Sequence, residues 1–510
     1  METLIAVLII LAPLFLGLLK FLRNLCWDPI RLKKAMEAQG VKGPPYKCFH
    51  GSTKEATNML RESMNSPMEL SHDIFPKIQP HIYEWNKTYG KIFLSWHGPK
   101  ARLFVNDMEL VKEILSNKDG AYAKPKSREY VRKLLGEGLA TTEGKKWVRL
   151  RKLANRAFHA ESLKNMIPSM EVSVKKMLER WSELKEVEAY EEFRVMTSDA
   201  ISRTAFGSSY SEGKNVFDKM RQLIYIISRN AHNVKLPIIE RLYRTQDDIE
   251  SDNVEEEIRK SIIELIGRTE EKVEKGELDD YGFDFLSSLV KGTREVDENT
   301  RISIDEVIDE CKTFYFAGHD TTLALLTWTV LLLAMEPDWQ DKARKEVIKV
   351  FGYNNLASDD NGFQKLKLMN MIINESLRLY PPAVLLTRAV QREVKLGKLT
   401  LTPNMELLIS PLAVHHDPEI WGEDVHLFRP ERFAEGVAKA TNNNASAYIP
   451  FGMGPRNCVG SSFATMEAKI ALSMILQRYA FTLSPKYAHC PFQLLTTSPR
   501  HGLQIVLHKL

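Results

Sequence analysis

The thirteen residues Tyr448-Ile-Pro-Phe451-Gly-Met-Gly454-Pro-Arg456-Asn-Cys458-Val-Gly460 constrain this chain more than any other stretch. They set one cysteine among glycines, with an aromatic and an arginine beside it. Phe463, Met466, Ile470 and Met474 then recur at helical spacing, so Cys458 is expected in a tight turn that feeds a helix N-terminus. There the backbone N–H groups and the helix dipole favour a thiolate over a thiol. The glycines permit positive φ and close backbone approach. A sulfur so placed suits a ligand or a nucleophile better than a packing atom. A nucleophile needs a base, and no histidine stands nearby in sequence, although one brought near by folding stays open.

Phe451, Gly454, Arg456, Cys458 and Gly460 fill all five places of the pattern Phe-x-x-Gly-x-Arg-x-Cys-x-Gly. Five such matches arise by chance in roughly one chain in 10,000 at average residue frequencies. The stretch resembles the cysteine loop of the cytochrome P-450 superfamily, the haem-thiolate monooxygenases, whose cysteine ligates haem iron. The resemblance implies haem b as cofactor, Cys458 as the metal ligand, and Phe451, Arg456 and Gly460 as parts of the binding loop. It also implies a mainly α fold with small β-sheets: one large haem-binding domain plus an N-terminal membrane anchor.

The composition is that of a globular chain with length for a large core: 510 residues, 44% hydrophobic and 27% charged. Length alone suggests about three domains. No linker or repeat divides the chain, which favours one catalytic domain. A net charge of +4 argues against nucleic acid as a partner. Cys26, Cys48, Cys311, Cys458 and Cys490 lie far apart without a CxxC pair, which indicates neither a zinc site nor a disulfide framework and suits a reducing compartment.

Thr3 to Leu19 carries no charge and, as a helix, spans about 26 Å, close to a bilayer core of about 30 Å. Glu2 at its start and the missing A-x-A site argue against a cleaved signal peptide. Lys20, Arg23, Arg31, Lys33 and Lys34 follow, a positive flank that puts the bulk of the protein on the cytosolic side. The expected division is a transmembrane anchor over 1–25, a basic and proline-bearing linker over 26–50 that includes Gly43-Pro44-Pro45, and a haem-binding monooxygenase domain over 51–510. The anchor is single-pass in the endoplasmic reticulum membrane, with its N-terminus luminal, and the sequons at Asn86 and Asn374 stay unmodified in the cytosol.

Ile92, Leu94 and Trp96 alternate, Gly98-Pro99 turns the chain, and Leu103 and Val105 resume, which predicts a hairpin. Trp147 and Arg151 are four apart and share a helix face. A guanidinium pairs well with a carboxylate, and the resemblance implies that both residues lie against a haem propionate. From Met166 to Lys291 the pattern is one of amphipathic helices, with Glu255, Glu256 and Glu257 on a solvated face. Apolar patches at 223–227 and 236–239 suit a substrate channel, a membrane contact or plain helix core.

Ser303-Ile-Asp-Glu306 has the form of a capping box and predicts a helix reaching Met335, before Pro337. Its centre, Ala317-Gly-His-Asp-Thr-Thr322, is poor helix material. The spacing predicts a site where the helix opens its own hydrogen-bond ladder. The segment matches the family's oxygen-activation motif. By that resemblance Asp320 and Thr321 relay protons, Ala317 and Gly318 leave room for dioxygen above the haem, and His319 is outward or structural.

Glu375 and Arg378 lie one turn apart before Pro381-Pro382, about 80 residues ahead of Cys458 and followed by Arg432. The resemblance implies that these three hold the scaffold of the cysteine loop. It further implies that Arg388, like Arg456, contacts the second propionate, and that Val384, Leu385 and Leu386 face the space above the haem. Strand-like runs at 398–401 and 407–410 complete the small sheet, and a hairpin near Leu494–Pro499 reaches into the pocket.

Taken together, the chain resembles most the plant endoplasmic-reticulum clan that includes secologanin synthase and hormone-modifying hydroxylases. The implied reaction inserts one oxygen atom of dioxygen into a hydrophobic, terpenoid- or hormone-like molecule. Electrons come from NADPH through a cytochrome P-450 reductase, docked on charges such as Lys145, Lys146 and Arg149. The alternatives are a haem enzyme of the same fold that rearranges or dehydrates without a reductase, and a haem-binding protein without turnover. The intact motifs at Asp320-Thr321 and Cys458 weigh against both.

Overall fold

Helical spacing of apolar residues builds most of this protein, and a long apolar helix through the middle supplies the surface on which the others pack. The computed structural model describes residues 2–230, 244–275, 284–295, 297, 301–353 and 360–510; the apolar patch at 236–239 lies outside them. The N-terminal helix is α1 (Glu2–Leu22); the helices that frame the site are α2 (Gly144–Ala157), α3 (Ala160–Trp181), α4 (Ala189–Phe206), α5 (Tyr210–Asn230), α6 (Ile304–Met335), α7 (Lys367–Leu379) and α8 (Ser461–Arg478).

Ser303 caps α6 as the sequence predicts: its hydroxyl accepts from Glu306 N, and Glu306 reaches back to Ser303 N at 2.9 Å. The 32 residues of α6 span about 48 Å. The helix passes the length and hydropathy test for a membrane span, but 67% of the tested window is buried inside the protein, so it is a core helix. α4 lies along it, with Phe206 stacked on Tyr315 at 3.9 Å. Leu323 to Leu333 are almost wholly buried, and Trp328 stacks on Tyr380 at 4.6 Å.

The small sheets comprise β1 (Ile92–His97), β2 (Lys100–Val105), β3 (Tyr122–Ala123), β4 (Glu186–Glu188), β5 (Leu386–Val390), β6 (Val394–Leu396), β7 (Leu399–Leu401), β8 (Glu406–Ile409), β9 (Tyr479–Leu483), β10 (Pro491–Gln493), β11 (Thr497–Pro499) and β12 (Gln504–Lys509). The largest runs β1-β2-β8-β5-β3. β1 and β2 form the expected hairpin, with Ile92 opposite Val105. β2 and β8 run parallel, and the register that puts Arg102 opposite Glu406 also ion-pairs them at 2.8 Å. Of the two runs expected to complete this sheet, only 407–410 does so, as β8. The run at 398–401 becomes β7, which pairs with β6 in a separate two-stranded ribbon because Gly397 (φ +55°) turns the chain straight back.

α1 turns Leu11, Phe15, Leu16, Leu18, Leu19 and Leu22 outward. Beyond it, Asp28–Glu37 is helical, and Met36 and Val41 are buried in a second core with Leu94, Trp96 and Leu103. Cys26 and Cys48 are joined as a disulfide, which corrects the reading of sequence spacing. The chain reverses between them, held by Tyr46 Oη donating to the Leu25 carbonyl. Spacing of 22 residues carried no sign of that reversal.

A buried ion pair joins the helical body to the cysteine loop. On α7, Arg378 grips Glu375 with two hydrogen bonds of 2.7 and 2.8 Å, both side chains fully buried. Such a pair offsets its desolvation only when its remaining hydrogen-bonding groups are met. Here Arg429 N donates to Glu375 Oε1 at 3.0 Å, and Arg378 donates to the carbonyl of His415 at 3.0 Å and stands 5.2 Å from the Trp421 ring centroid. Arg432 is a weaker partner than expected. Its Nε stands 3.5 Å from Glu375 without a hydrogen bond, while its other nitrogens serve the carbonyls of Trp421 and Asp424. His415 passes the order onward, since its Nε2 accepts from Ile449 N at 3.0 Å; Tyr448 Oη donates to the carbonyl of Asn374 on α7 at the same length. The Arg378→Ala variant leaves Glu375 buried and unpaired, which costs about 3–5 kcal/mol. Urea unfolding measures it, and a loss under about 1 kcal/mol would contradict the pairing as the anchor of this region.

Candidate active site

The loop before α8 folds as a series of tight turns closed by Cys458 N donating to the Phe451 carbonyl at 2.8 Å. Gly454 needs to be glycine: its φ is +72°, and an added Cβ would lie 2.2 Å from the Leu115 carbonyl oxygen. Gly460 has ordinary φ (−93°) and starts α8; a Cβ there would sit 4.0 Å from the Cys458 sulfur. That is an ordinary contact distance, so neither backbone freedom nor space requires glycine at this position.

Cys458 is accessible, yet the surrounding protein desolvates its thiol and pushes the pKa up. An atom both accessible and desolvated faces an internal space. The Gly460 amide and the Arg151 charge oppose the rise, as the helix N-terminus argument predicted, but burial outweighs them. A thiolate here wants a further positive centre. That fits a metal cation, and haem iron is the one such a loop could hold.

α2 supports this loop from one side. Trp147 and Arg151 do share a face, and both meet the loop. The Arg456 guanidinium lies 4.1 Å over the Trp147 ring, and Arg151 donates to the carbonyl and side chain of Asn457 at 2.6 and 2.9 Å. Arg456 also ion-pairs with Glu143, yet Nη1 has no hydrogen-bond partner. Arg388 on β5 lies close enough to Arg456 to depress its pKa, and burial and the two arginines together hold Lys124 down to about 8. Three desolvated cations thus gather around a single carboxylate, Glu143. Haem carries two propionates, and this cradle suits them. Lys124 escaped the sequence reading because nothing in Ala-Lys-Pro announces a ligand.

The opposite wall is the centre of α6. Val307 to Tyr315 and Thr322 to Ala334 are mostly buried, whereas Ala317 is exposed and Gly318 to Thr321 are partly so. A core helix accessible only at its middle opens on a cavity. The helix does not break there, contrary to expectation. The Thr321 and Thr322 hydroxyls donate to the carbonyls of Ala317 and Gly318 at 2.6 and 3.3 Å within a helix that continues through the segment. Gly318 does not open space for dioxygen: a Cβ would strike Ile201 Cδ1 of α4 at 2.5 Å, so it is a packing notch. His319 points inward, 5.3 Å from the Phe217 ring, where burial with Arg194 and Arg221 holds its pKa near about 3, as a neutral ring.

Asp320 Oδ2 accepts from Thr496 Oγ1 at 2.5 Å. Thr496 sits at the tip of the β10–β11 hairpin, which reaches the pocket as expected and is pinned by Trp328 Nε1 donating to Thr497 Oγ1 at 3.1 Å. Asp320 lines a cavity of about 330 Å³ with Tyr190, Phe217, Met220, Ile224 and Leu494. On α8, Glu467 is fully buried beside Thr322 with neither oxygen hydrogen-bonded, and burial keeps it a neutral acid. Its place nine residues after Cys458 was the only signal in the sequence.

A helical body with small sheets, a cysteine loop and a cationic cradle defines a haem-thiolate protein. The cytochrome P450 family model matches residues 70–505, and the chain belongs to the cytochrome P450 family. It is 52% identical over 496 residues to cytochrome P450 CYP749A22 of Panax ginseng, covering 96% of this chain and 94% of that one. It is 39% identical to cytochrome P450 734A1 of Arabidopsis thaliana, with 99% and 97% covered, and 38% identical to 7-deoxyloganic acid hydroxylase of Catharanthus roseus, with 95% and 94% covered. The retinoic acid-bound cyanobacterial CYP120A1 structure shares the fold, with a TM-score of 0.75 at 23% identity over 92% of this chain and all of that one. The protein is accordingly an oxidoreductase of the monooxygenase type that uses haem b, in the plant clan of the family.

Burial pushes the Asp320 pKa up to about 6 against the Thr496 hydrogen bond, which lowers it. The folded state then holds this proton more tightly than the unfolded chain, so stability falls as pH rises from about 4 to about 6. Asparagine has no charge to bury. Asp320→Asn should melt above the parent protein at pH 7, with the gap closing near pH 4; a constant gap across that range would refute the desolvation.

Proposed function

We propose that this protein inserts one atom of dioxygen into a hydrophobic, terpenoid- or hormone-like small molecule, with electrons from NADPH through a membrane-bound reductase. The observation that carries the reading is the accessible centre of α6 in an otherwise buried helix, where Asp320 lines a cavity. Haem supplies the oxygen-activating chemistry. Cys458 Sγ would hold it as a thiolate, and Lys124, Arg388 and Arg456 would take its propionates. Asp320 Oδ2 accepts from the Thr496 hydroxyl, and a pKa pushed up to about 6 by burial suits the carboxyl to take up and release a proton near neutral pH. The Thr321 hydroxyl, donating to the Ala317 carbonyl at rest, would turn to pass that proton into the cavity.

The lining of the cavity joins apolar side chains to Arg194, Arg221 and Tyr190, which supports an oxygen-bearing substrate over a plain hydrocarbon. A relative bears the name 7-deoxyloganic acid hydroxylase, and a terpenoid acid matches that lining.

Reductase docking fits the outer face of α2. Lys146 and Arg149 are engaged with Glu306, at 3.7 and 2.5 Å, so the exposed Lys145, together with Lys152 and Arg156 along an open groove, supplies the better docking charges. The exposed apolar residues of α1 and the basic residues after it support a single-pass endoplasmic reticulum anchor with the catalytic body in the cytosol.

Purified protein with reductase and NADPH should yield products heavier by one oxygen from a terpenoid panel, and turnover without reductase would favour a rearranging enzyme. Cys458→Ser should abolish the thiolate signature of the reduced carbon monoxide spectrum. Thr321→Ala should still oxidise NADPH while product per NADPH falls roughly ten-fold or more; unchanged coupling would remove Thr321 from the relay.

A further inference from the structure

Away from the haem cavity, beside the buried Glu375–Arg378 pair, Asp73 meets two histidines from the distant 416–426 stretch. Asp73 precedes the short helix Phe75–Ile78, His416 closes the short helix Pro411–His415, and His426 lies in the loop ahead of Pro430. One ligand atom of each lies within 4.8 Å of the others. His416 is 5% exposed, and its Nε2 is engaged with the Leu379 carbonyl at 2.9 Å. That bond assigns the ring proton to Nε2 and leaves a lone pair on Nδ1, the tautomer that metal-binding histidines are held in. His416 Nδ1 is buried and has no hydrogen-bond partner, and the same is true of His426 Nδ1. Asp73 Oδ1 stands 3.7 Å from His426 Nδ1, and the two imidazole centroids are 5.3 Å apart.

We propose that Asp73, His416 and His426 form a binding site for a zinc ion. Two imidazoles and one carboxylate are a zinc donor set that leaves the fourth position to water. Zinc–ligand bonds of about 2.0–2.2 Å put tetrahedral ligand atoms roughly 3.4 Å apart, so the triad must tighten by about an ångström. The partly exposed Asp73 and His426 have the freedom to do so, while His416 is fixed by its carbonyl partner. Arg378 faces both imidazoles, and its charge is already matched by Glu375. Neighbouring His72 is committed to Tyr380 Oη at 2.9 Å and stays outside the set. The ion would staple the segment around Asp73 to the 416–426 stretch, more than 300 residues further along the chain, beside the pair that supports the cysteine loop.

The test uses the full-length, haem-loaded protein, stripped with chelator and dialysed against zinc chloride, with zinc and haem measured on the same sample. The parent protein should hold about one zinc per haem, and its melting temperature should rise with zinc concentration. His426→Ala and Asp73→Asn should each bind zinc about ten-fold more weakly or worse and lose the rise, with the reduced carbon monoxide spectrum unchanged as proof of folding. His416→Ala is the less safe variant because its ring is buried. Zinc retained equally by both variants, or no zinc on the parent protein, overturns the site.

Discussion

A desolvated sulfur is the constraint on which this structure turns. Burial raises the Cys458 pKa, so the protein by itself favours the thiol. One backbone amide and one guanidinium argue for the thiolate and lose. A cation against the sulfur would reverse that balance, which suits the loop to a metal-bearing cofactor. A loop that stabilised its own thiolate would need less from a metal, and would expose a reactive nucleophile whenever the cofactor was absent.

Holding that loop in place demands order at a distance, and the buried Glu375–Arg378 pair provides it through backbone groups. Arg429 N, the His415 carbonyl and the Ile449 amide accept or donate at main-chain atoms, whose positions are set by the chain and not by side-chain rotamers. A charge network tied to backbone fixes a loop more firmly than one tied to flexible surface side chains. The same economy explains why Arg432, linked to Glu375 only at 3.5 Å, spends its hydrogen bonds on carbonyls of its own loop.

Contiguous motifs were legible before the structure. The capping box at Ser303, the hairpin at Ile92–Val105, the cysteine turn and the pairing of Glu375 with Arg378 are all local, with causes lying within a few residues. What escaped was non-local. Gly318 read as space for a ligand but is filled by Ile201, which no spacing rule connects to it. Thr496 and Asp320 are 176 residues apart, and Lys124 reaches Arg388 only because β3 pairs with β5. The Cys26–Cys48 pairing likewise depends on a chain reversal that composition does not encode. Polarity at the centre of α6 was read as a break, yet the helix runs on through Ala317–Thr322, with the threonine hydroxyls donating to carbonyls four residues back.

The cationic cradle shows how function is held against stability. Lys124 is driven down to about 8 and Arg388 to about 10, because each is desolvated and crowded by like charge with only Glu143 in opposition. Like charges gathered in low dielectric repel strongly, and a fold selected for stability alone would disperse them. Trp147 softens the cost at Arg456 through its ring face, but Arg456 Nη1 is left without a hydrogen bond. Two carboxylates placed among these cations would turn that repulsion into attraction, which suits the cradle to the propionates of haem. The desolvated Asp320 and the neutral Glu467 follow the same logic on the other wall: each acid is costly to ionise where it stands, and is for that reason able to hold a proton at a pH where an exposed carboxyl has lost it.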